Sequence, residues 1–385
     1  MAGDVGGEAE NRERAMFQVT EQTRTYPCSS CGDQLVFMIE TQKLGCPSCG
    51  YQADIDTSQM VAPTERDLRS TMAQLRSLTG QDAGPQIEGE KEITCQNCGG
   101  RTTFSGTLTA TRCPYCATPI QRDDVHDAPA RLPVDGVLPF KVAEKQATDL
   151  IEKWINSRWF APTEFKKYNE KGSFRSIYAA YFTYDAETQT QYSGQRGENY
   201  TVTVGSGDNQ RTETRTNWYP VSGMVRDSFD DLPVLANDGF DHGRVTKLGP
   251  WPTSDAEPFS PQFVAGHLCR TYDRDASECF GEAQRTIDSA IDNTIRRDIG
   301  GDEQRISGKS TNYSSLLYKH LLLPLWLLTV VYEGRPFQVF INGVTGQVQG
   351  QRPWSKVKII LAVIAAIIVI GVIVTVWSSA KSSSA

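Results

Sequence analysis

Histidine is scarce in this sequence, with four residues among 385. His126, His242, His267 and His320 stand far apart, and no Ser/His/Asp or Cys/His arrangement for nucleophilic catalysis can be read around them. Positive charge is also in short supply, since 39 basic residues face 46 acidic ones and give a net charge of −7. Such a chain has no general attraction for nucleic-acid phosphates, although a local basic face can still form. These shortages favour a protein that is not an enzyme and has no small-molecule substrate.

Two further patterns are missing. Ser307–Thr311 carries the last residues of a phosphate-binding loop, but glycine is required where Glu303 stands, and a helix ending at Gly300 replaces the strand that should precede it. Met1–Arg14 is acidic and polar and lacks the apolar segment of a secretion signal. The sequence therefore predicts neither a nucleotide-driven motor nor a secreted protein.

Cysteine, by contrast, follows a strict pattern. Eight of the ten cysteines form C-x-x-C pairs in two sets, and fourteen residues separate the pairs in each set. In a reducing compartment such pairs are metal ligands rather than disulfides. Four thiolates close a tetrahedron and leave no position for water, so we predict two structural Zn²⁺ sites, with rubredoxin-like iron as the alternative metal. The expected ligands are Cys28, Cys31, Cys46 and Cys49 for the first site, and Cys95, Cys98, Cys113 and Cys116 for the second.

Each cysteine set predicts a small zinc ribbon, the first over 26–53 and the second over 93–122. Glycine follows three of the four pairs, where a turn residue with positive φ is expected. Each ribbon is too small to own a core, so the metal is expected to supply much of its folding free energy. Spacing alone cannot say whether a ribbon binds nucleic acid, protein or only its own chain.

The longest apolar run lies near the C-terminus. Ile359–Trp377 contains nineteen residues without a charge, about 28 Å of helix at roughly 1.5 Å per residue, which matches a bilayer. Trp354 precedes the run as an interfacial aromatic residue. Arg352 and two lysines come before the run and a single lysine follows it, so the positive-inside rule places the N-terminal side in the cytoplasm. We predict a single-pass transmembrane helix over 355–378 and a short tail over 379–385.

The remaining segments predict a disordered N-terminus, a linker and an α+β domain with antiparallel meanders. The N-terminus covers 1–25, the linker 54–92 and the α+β domain 123–354. Within the linker, Thr64–Leu78 has an apolar stripe and a possible capping box, and packing on its own protein is favoured over binding a partner. Helices and strands are predicted in the domain at Lys141–Arg158 and Ala276–Asp298 (helices), and at Ile177–Asp185, Tyr200–Gly205, Arg211–Arg226 and 321–349 (strands).

Two smaller groups of reactive side chains are candidates for chemistry. His267, Cys269 and Cys279 are three possible ligands of a third metal site, but no fourth ligand is apparent and inert thiols are favoured. Asp230 and Asp231 are adjacent, so on a regular strand they would point to opposite faces rather than form an acid–base pair, and a turn or helix cap is favoured. Neither group predicts an active site.

Taken together, the chain resembles bacterial membrane-anchored proteins with TFIIB-type zinc ribbons. These are often labelled primosomal protein N′ or replication-restart helicase-like. The resemblance covers nearly the whole chain, except that Ala179–Tyr181 stands where a proline-containing motif is expected. It is carried by Leu138–Phe140, Trp159–Pro162, Tyr192–Gly197, Ile295–Ile306, His320–Trp326 and Asn342–Pro353.

This resemblance implies an adaptor that works with SPFH/flotillin-like proteins and PspA-type membrane-stress proteins at the bacterial inner membrane. The sequence therefore predicts a non-enzymatic membrane-anchored scaffold that docks protein partners at the cytoplasmic face. The alternative is a membrane-tethered nucleic-acid-binding protein linked to replication or transcription.

Overall fold

A computed structural model gives the fold of most of the chain. It describes residues 23–24, 26–55, 62–79, 90–94, 101–105, 108–112, 119–122, 132–162, 172–205, 210–333 and 335–382. The fold is mixed α+β, as predicted. The chain divides into two compact units, the first made of 1–139, 178–240 and 251–323, and the second of 140–177, 241–250 and 324–385.

Five α-helices, seventeen strands and three short 3₁₀ helices (Thr246–Leu248, Thr253–Asp255 and Pro261–Val264) make up these described parts. The helices are α1 (Leu68–Thr79), α2 (Glu144–Asn156), α3 (His242–Val245), α4 (Ala276–Ile299) and α5 (Lys356–Ser382). The strands are β1 (Thr23–Arg24), β2 (Val36–Met38), β3 (Lys43–Gly45), β4 (Gln52–Ala53), β5 (Arg66–Asp67), β6 (Glu90–Thr94), β7 (Arg101–Ser105), β8 (Leu108–Arg112), β9 (Pro119–Arg122), β10 (Gly136–Val137), β11 (Gly172–Val204), β12 (Arg211–Leu235), β13 (Glu257–Pro258), β14 (Leu268–Arg270), β15 (Glu303–Tyr332), β16 (Arg335–Asn342) and β17 (Val348–Gly350).

The first unit is built on a large sheet around two long strands. Its neighbours run β1–β9–β8–β14–β11–β15–β10–β13, with β12 paired to β11 and β5 to β15. β11 and β12 form the predicted hairpin, antiparallel from Tyr181↔Leu235 to Val204↔Arg211. β1 lies inside the 1–25 segment that was expected to be disordered, and there Thr23 and Arg24 pair with β9.

Helix α4 packs against this hairpin and follows its sequence signals closely. A capping box starts it, because Asp275 Oδ1 accepts the Glu278 N–H at 2.8 Å and Glu278 Oε2 accepts the Asp275 N–H at 2.8 Å. Gly300, at φ 66°, ends it. Its buried residues recur at helical spacing: Ala276, Cys279, Ala283, Ile287, Ile291, Ile295 and Ile299.

Helix α1 packs on its own chain, as favoured from the sequence. Leu68, Met72 and Leu75 are buried, and α1 contacts α4. The helix begins at Leu68, four residues after the predicted start at Thr64, and Asp67 caps it, because Asp67 Oδ1 accepts the Ser70 N–H (2.7 Å). This hydrogen bond lowers the pKa of Asp67.

The second unit contains the predicted meander and helix α2. The last part of β15 pairs with β16 from Leu325↔Asn342 to Tyr332↔Arg335, and β16 pairs with β17. The Asn342 side chain is fully buried and holds the turn after β16. Its Oδ1 accepts the N–H groups of Val344 and Thr345, and its Nδ2 donates to Leu248 O. The apolar run around Pro324 is therefore a buried strand and not a membrane span.

Helix α5 contrasts with every other described helix. It is the one among them that is long and apolar enough to cross a membrane, and none of Lys356–Val374 is buried. Ser355 caps it, since Ser355 Oγ accepts the Lys358 N–H at 3.3 Å. The sequence expectation of a long apolar helix here is confirmed.

The residues that imitate a phosphate-binding loop form part of β15. Ser307–Thr311 is extended, and Lys309 Nζ lies 2.7 Å from the Asp292 carboxylate of α4. The lysine of the partial motif is thus one side of a strand-to-helix ion pair.

Candidate metal centre

Cys28, Cys31, Cys46 and Cys49 stand on two turns of matching geometry, referred to below as the four-cysteine centre. In the first turn the Gly32 N–H donates to Cys28 O (2.8 Å), and in the second the Gly50 N–H donates to Cys46 O (2.9 Å). Both glycines have positive φ, 79° and 75°, a conformation that a side chain would strain. Each turn therefore presents its two sulfurs on one side.

The four sulfurs are spaced as a tetrahedral zinc site requires. The Sγ atoms of Cys28 and Cys49 are 3.6 Å apart, and those of Cys31 and Cys46 are 3.5 Å apart. All four lie within 4.8 Å of one another. Four sulfurs about 2.3 Å from one Zn²⁺ would be about 3.8 Å apart, so the group could bind zinc with little adjustment.

The pKa values of two thiols in the centre are shifted in opposite directions. The Tyr51 backbone N–H and the Cys31 thiol lower the pKa of Cys49 to about 7. The Asp33 backbone lowers the pKa of Cys31, but the sulfurs of Cys49 and Cys46 outweigh it and raise the value to about 12. Metal binding must displace such protons, so its affinity depends on pH.

Asp33 joins the two turns from outside the sulfur group. Its carboxylate accepts the Ser48 hydroxyl of the second turn and the Gln34 N–H of the first, the latter at 2.7 Å. These hydrogen bonds lower the pKa of Asp33. Support of this kind fixes the orientation of ligand-bearing turns.

The four-cysteine centre does not stand alone, because its small sheet β2–β3–β4 packs on another segment of the first unit. The Phe37 N–H donates to Ala265 O at 2.9 Å. The Phe37 ring is 3% exposed and meets Phe263 edge-on, with centroids 5.6 Å apart. Cys28, Cys46, Leu35 and Leu44 share a buried cluster with Ala265. Sequence reasoning missed this contact, since Ala265 is more than two hundred residues from the cysteines and carries no motif.

The three side chains considered as ligands of a third metal site do not come together. His267 lies edge-on to Tyr178 (5.8 Å between centroids) and to Phe37 (6.0 Å) as part of the packing. Cys279 is fully buried in α4, where desolvation raises its pKa to about 12. Among the described residues, no metal-like group joins His267, Cys269 and Cys279. The inert interpretation of these thiols agrees with this geometry.

The second predicted set, Cys95, Cys98, Cys113 and Cys116, lies outside the described residues. Its flanking strands are described: β6 pairs with β7 on either side of the first pair, and β8 with β9 on either side of the second. β8 also pairs with β14 of the first unit, through Ala110↔Cys269. The described residues thus contain one four-cysteine group and not two.

A second group of possible ligands is acidic. One carboxylate oxygen each from Asp185, Asp230 and Asp231 lies within 4.8 Å of the other two. On a regular strand Asp230 and Asp231 would point to opposite faces, but the β11–β12 register shifts beside Asp185 and Asp231 has φ 48°, so the strand is irregular here and the carboxylates come together.

This acidic group already has a cation. Lys319 Nζ lies 2.7 Å from Asp231 and 3.4 Å from Glu65. Burial raises the pKa of Asp185 to about 6, against the lowering effects of the Asp231 N–H and the Lys319 charge. The arrangement is a charge-compensated network of the first unit.

Comparison with known proteins finds one similar chain of note. The sequence is 26% identical over 338 residues to the uncharacterized protein YdjG of Bacillus subtilis (strain 168), covering 87% of this chain and 92% of that protein. No family model and no solved structure matches the sequence.

Proposed function

We propose that this protein is a membrane-anchored adaptor with structural zinc in its first unit. The observation that carries the proposal is the pairing of a closed four-sulfur centre with a fully exposed apolar helix in one chain. Four thiolates hold zinc for stability and leave no site for a reacting water.

The anchor is helix α5, crossing the bacterial cell membrane once. Arg352, Lys356 and Lys358 precede its apolar part and Lys381 follows it, and this charge bias supports a cytoplasmic location for the chain before the helix. A reducing cytoplasm keeps the cysteines available as thiolates. The second cysteine set, Cys95 to Cys116, is proposed to hold a second zinc.

Partners are proposed from the family resemblance. That family implies SPFH/flotillin-like and PspA-type membrane-stress proteins, recruited to the cytoplasmic face of the membrane. The competing function, membrane-tethered nucleic-acid binding, rests on the arginines around the second cysteine set and on a ribbon class that includes nucleic-acid binders.

The test is crosslinking in native bacterial membranes followed by capture of the full-length chain. Cys28→Ser/Cys31→Ser and Cys95→Ser/Cys98→Ser variants separate the two cysteine sets, and Cys269→Ser is the matched control. We expect flotillin-like or PspA-like proteins with the wild type and the control, lost in one or both double variants. Recovery of nuclease-sensitive replication or transcription proteins would instead favour the nucleic-acid function.

A further inference from the structure

The segment between helix α2 and the next strand carries an unusually exposed aromatic side chain. Trp159 is 76% exposed and Trp354, just before α5, is 57% exposed. Exposed tryptophan is costly in water, whereas the bilayer interface accepts both its ring and its indole N–H. Both residues belong to the second unit.

The Trp159 segment is hydrogen-bonded to the start of the apolar helix. Lys358 Nζ donates to Trp159 O (3.2 Å) and Ala161 O (2.7 Å), and the Ser355 N–H donates to Phe160 O (2.8 Å). Lys358 lies in the first turn of α5. These hydrogen bonds therefore hold the Trp159 segment beside the first turn of α5, where the helix would enter the hydrocarbon of the membrane.

The rings of Trp159, Phe160 and Trp354 form a continuous row beside these hydrogen bonds. The Trp159 and Phe160 rings stack with centroids 6.4 Å apart, and the Phe160 and Trp354 centroids are 6.1 Å apart. Ala161 is buried, whereas the neighbouring Trp159 side chain is exposed, so protein holds the backbone here while the Trp159 ring faces outward. The row presents an apolar edge that is continuous with the membrane-spanning helix.

Positive charge accompanies the aromatic row. The Arg352 guanidinium lies 4.3 Å from the Trp354 ring centroid, and that of Arg158 lies 4.7 Å from the Trp154 ring. Lys356 and Lys358 add two ammonium groups at the helix start. Aromatic rings with interspersed cations complement the headgroup layer of a membrane that contains anionic phospholipid.

We propose that Trp159, Phe160 and Trp354 form a second membrane contact that inserts into the anionic headgroup layer beside α5. The proposal rests on the membrane anchoring by α5 proposed above. A helix alone leaves its attached unit free to tilt and rotate about the entry point. The aromatic row adds a second point of contact, which holds the second unit against the bilayer surface.

The experiment places the photocrosslinker p-benzoylphenylalanine at one of three positions of the full-length protein. The protein is reconstituted in nanodiscs of phosphatidylcholine with phosphatidylglycerol, and lipid adducts are counted by mass spectrometry. The Trp159 position tests the proposal, and the Ile367 position in the middle of α5 tests the span. The Tyr219 position, 49% exposed on β12, is the matched aromatic control.

We expect adducts at Ile367 and Trp159, with the Trp159 yield at least about tenfold above that of Tyr219, because an interfacial ring sits among lipids. Removing phosphatidylglycerol should lower the Trp159 yield and leave the Ile367 yield unchanged. Adducts at Ile367 with none at Trp159 would overturn the second contact and keep the anchor. Adducts at neither position would overturn the anchor itself.

Discussion

The four-cysteine centre and the acidic group of the first unit meet the same distance condition, yet they differ in chemistry. In each, the possible ligand atoms lie within 4.8 Å of one another. The four-cysteine centre offers the sulfurs of Cys28, Cys31, Cys46 and Cys49, which Zn²⁺ binds as thiolates. The carboxylates of Asp185 and Asp231 share Lys319. Ligand atoms close together therefore indicate a metal site only where protein charge has not already neutralised them.

The largest effect is expected from removing a ligand of the four-cysteine centre. Cys28→Ser should abolish zinc binding there, because a hydroxyl replaces a buried thiolate and structural zinc contributes about 10 kcal/mol or more to folding. Metal analysis and thermal unfolding of the purified full-length protein would measure both losses. Cys279→Ser is the control, since it removes a buried thiol outside the centre and should leave the zinc content unchanged.

The packing of the centre on Ala265 predicts a second effect that spares the metal. Phe37→Ala should lower the free energy of unfolding by about 3–5 kcal/mol, because it empties the space beside Phe263. Tyr51→Ala, at a residue 39% exposed beside the cysteines, should change it by about 0.5 kcal/mol or less. Denaturant unfolding with zinc quantified in parallel would check this. Equal effects of the two substitutions would show that the centre does not use this contact.

Loss of the cation in the acidic group should lower the free energy of unfolding by a smaller amount, and this loss should depend on pH. Lys319→Met should cost about 2 kcal/mol at pH 7, because it leaves like charges together in a half-buried site. The cost should shrink toward pH 5, where Asp185, with a pKa of about 6, is largely protonated in the folded protein. An Lys319→Met/Asp231→Asn double variant should recover part of the loss. A cost that does not change with pH would contradict the assignment of Lys319 as the compensating cation.

Asp185 alone provides the smallest predicted change. Its pKa is raised in the folded state, so between about pH 4 and pH 6 the folded protein holds a proton on Asp185 that the unfolded chain has released. The free energy of unfolding therefore falls as pH rises through that window. Asp185→Asn should therefore stabilise the protein by about 1 kcal/mol at pH 7, after allowing for solvent screening, and by nothing at pH 4. Unfolding curves at the two pH values would show the difference. The four-cysteine centre should respond the other way, losing metal as pH falls and protons compete for the thiolates.

The elements with strong local signals were predictable from the sequence. Helix α4 has a capping box, an isoleucine stripe and a terminal glycine, and helix α5 has an uninterrupted apolar run. The C-x-x-C-G turns of the four-cysteine centre likewise depend on residues within five positions of one another. In all of these, one short stretch of chain carries the whole signal.

The length of β11 had no such signal. Its middle, around Thr188 and Thr190, was not predicted as strand, because most residues there are polar and no alternation of apolar and polar residues marks a strand. Those two threonines are nevertheless buried, and the Thr190 hydroxyl lies 2.9 Å from the Thr311 hydroxyl of β15. Small polar side chains that are satisfied by hydrogen bonds erase the hydrophobic periodicity from which strands are recognised.

Sites formed by contacts between distant segments could not be predicted from the sequence either. The support of the four-cysteine centre by Ala265 and the row from Trp159 to Trp354 each join segments far apart in the sequence. The acidic group depends on a local shift of strand register that residue types do not specify. Local patterns indicate ligands and helices, whereas the fold decides which side chains meet.

The most direct test is X-ray absorption at the zinc edge, on the full-length Cys95→Ser/Cys98→Ser variant. In that chain the four-cysteine centre is the remaining complete set. We predict about one zinc per chain with a shell of four sulfurs at about 2.3 Å and no oxygen or nitrogen neighbour. An absence of zinc, or a shell containing oxygen or nitrogen, would contradict the assignment of Cys28, Cys31, Cys46 and Cys49 as a closed structural zinc site.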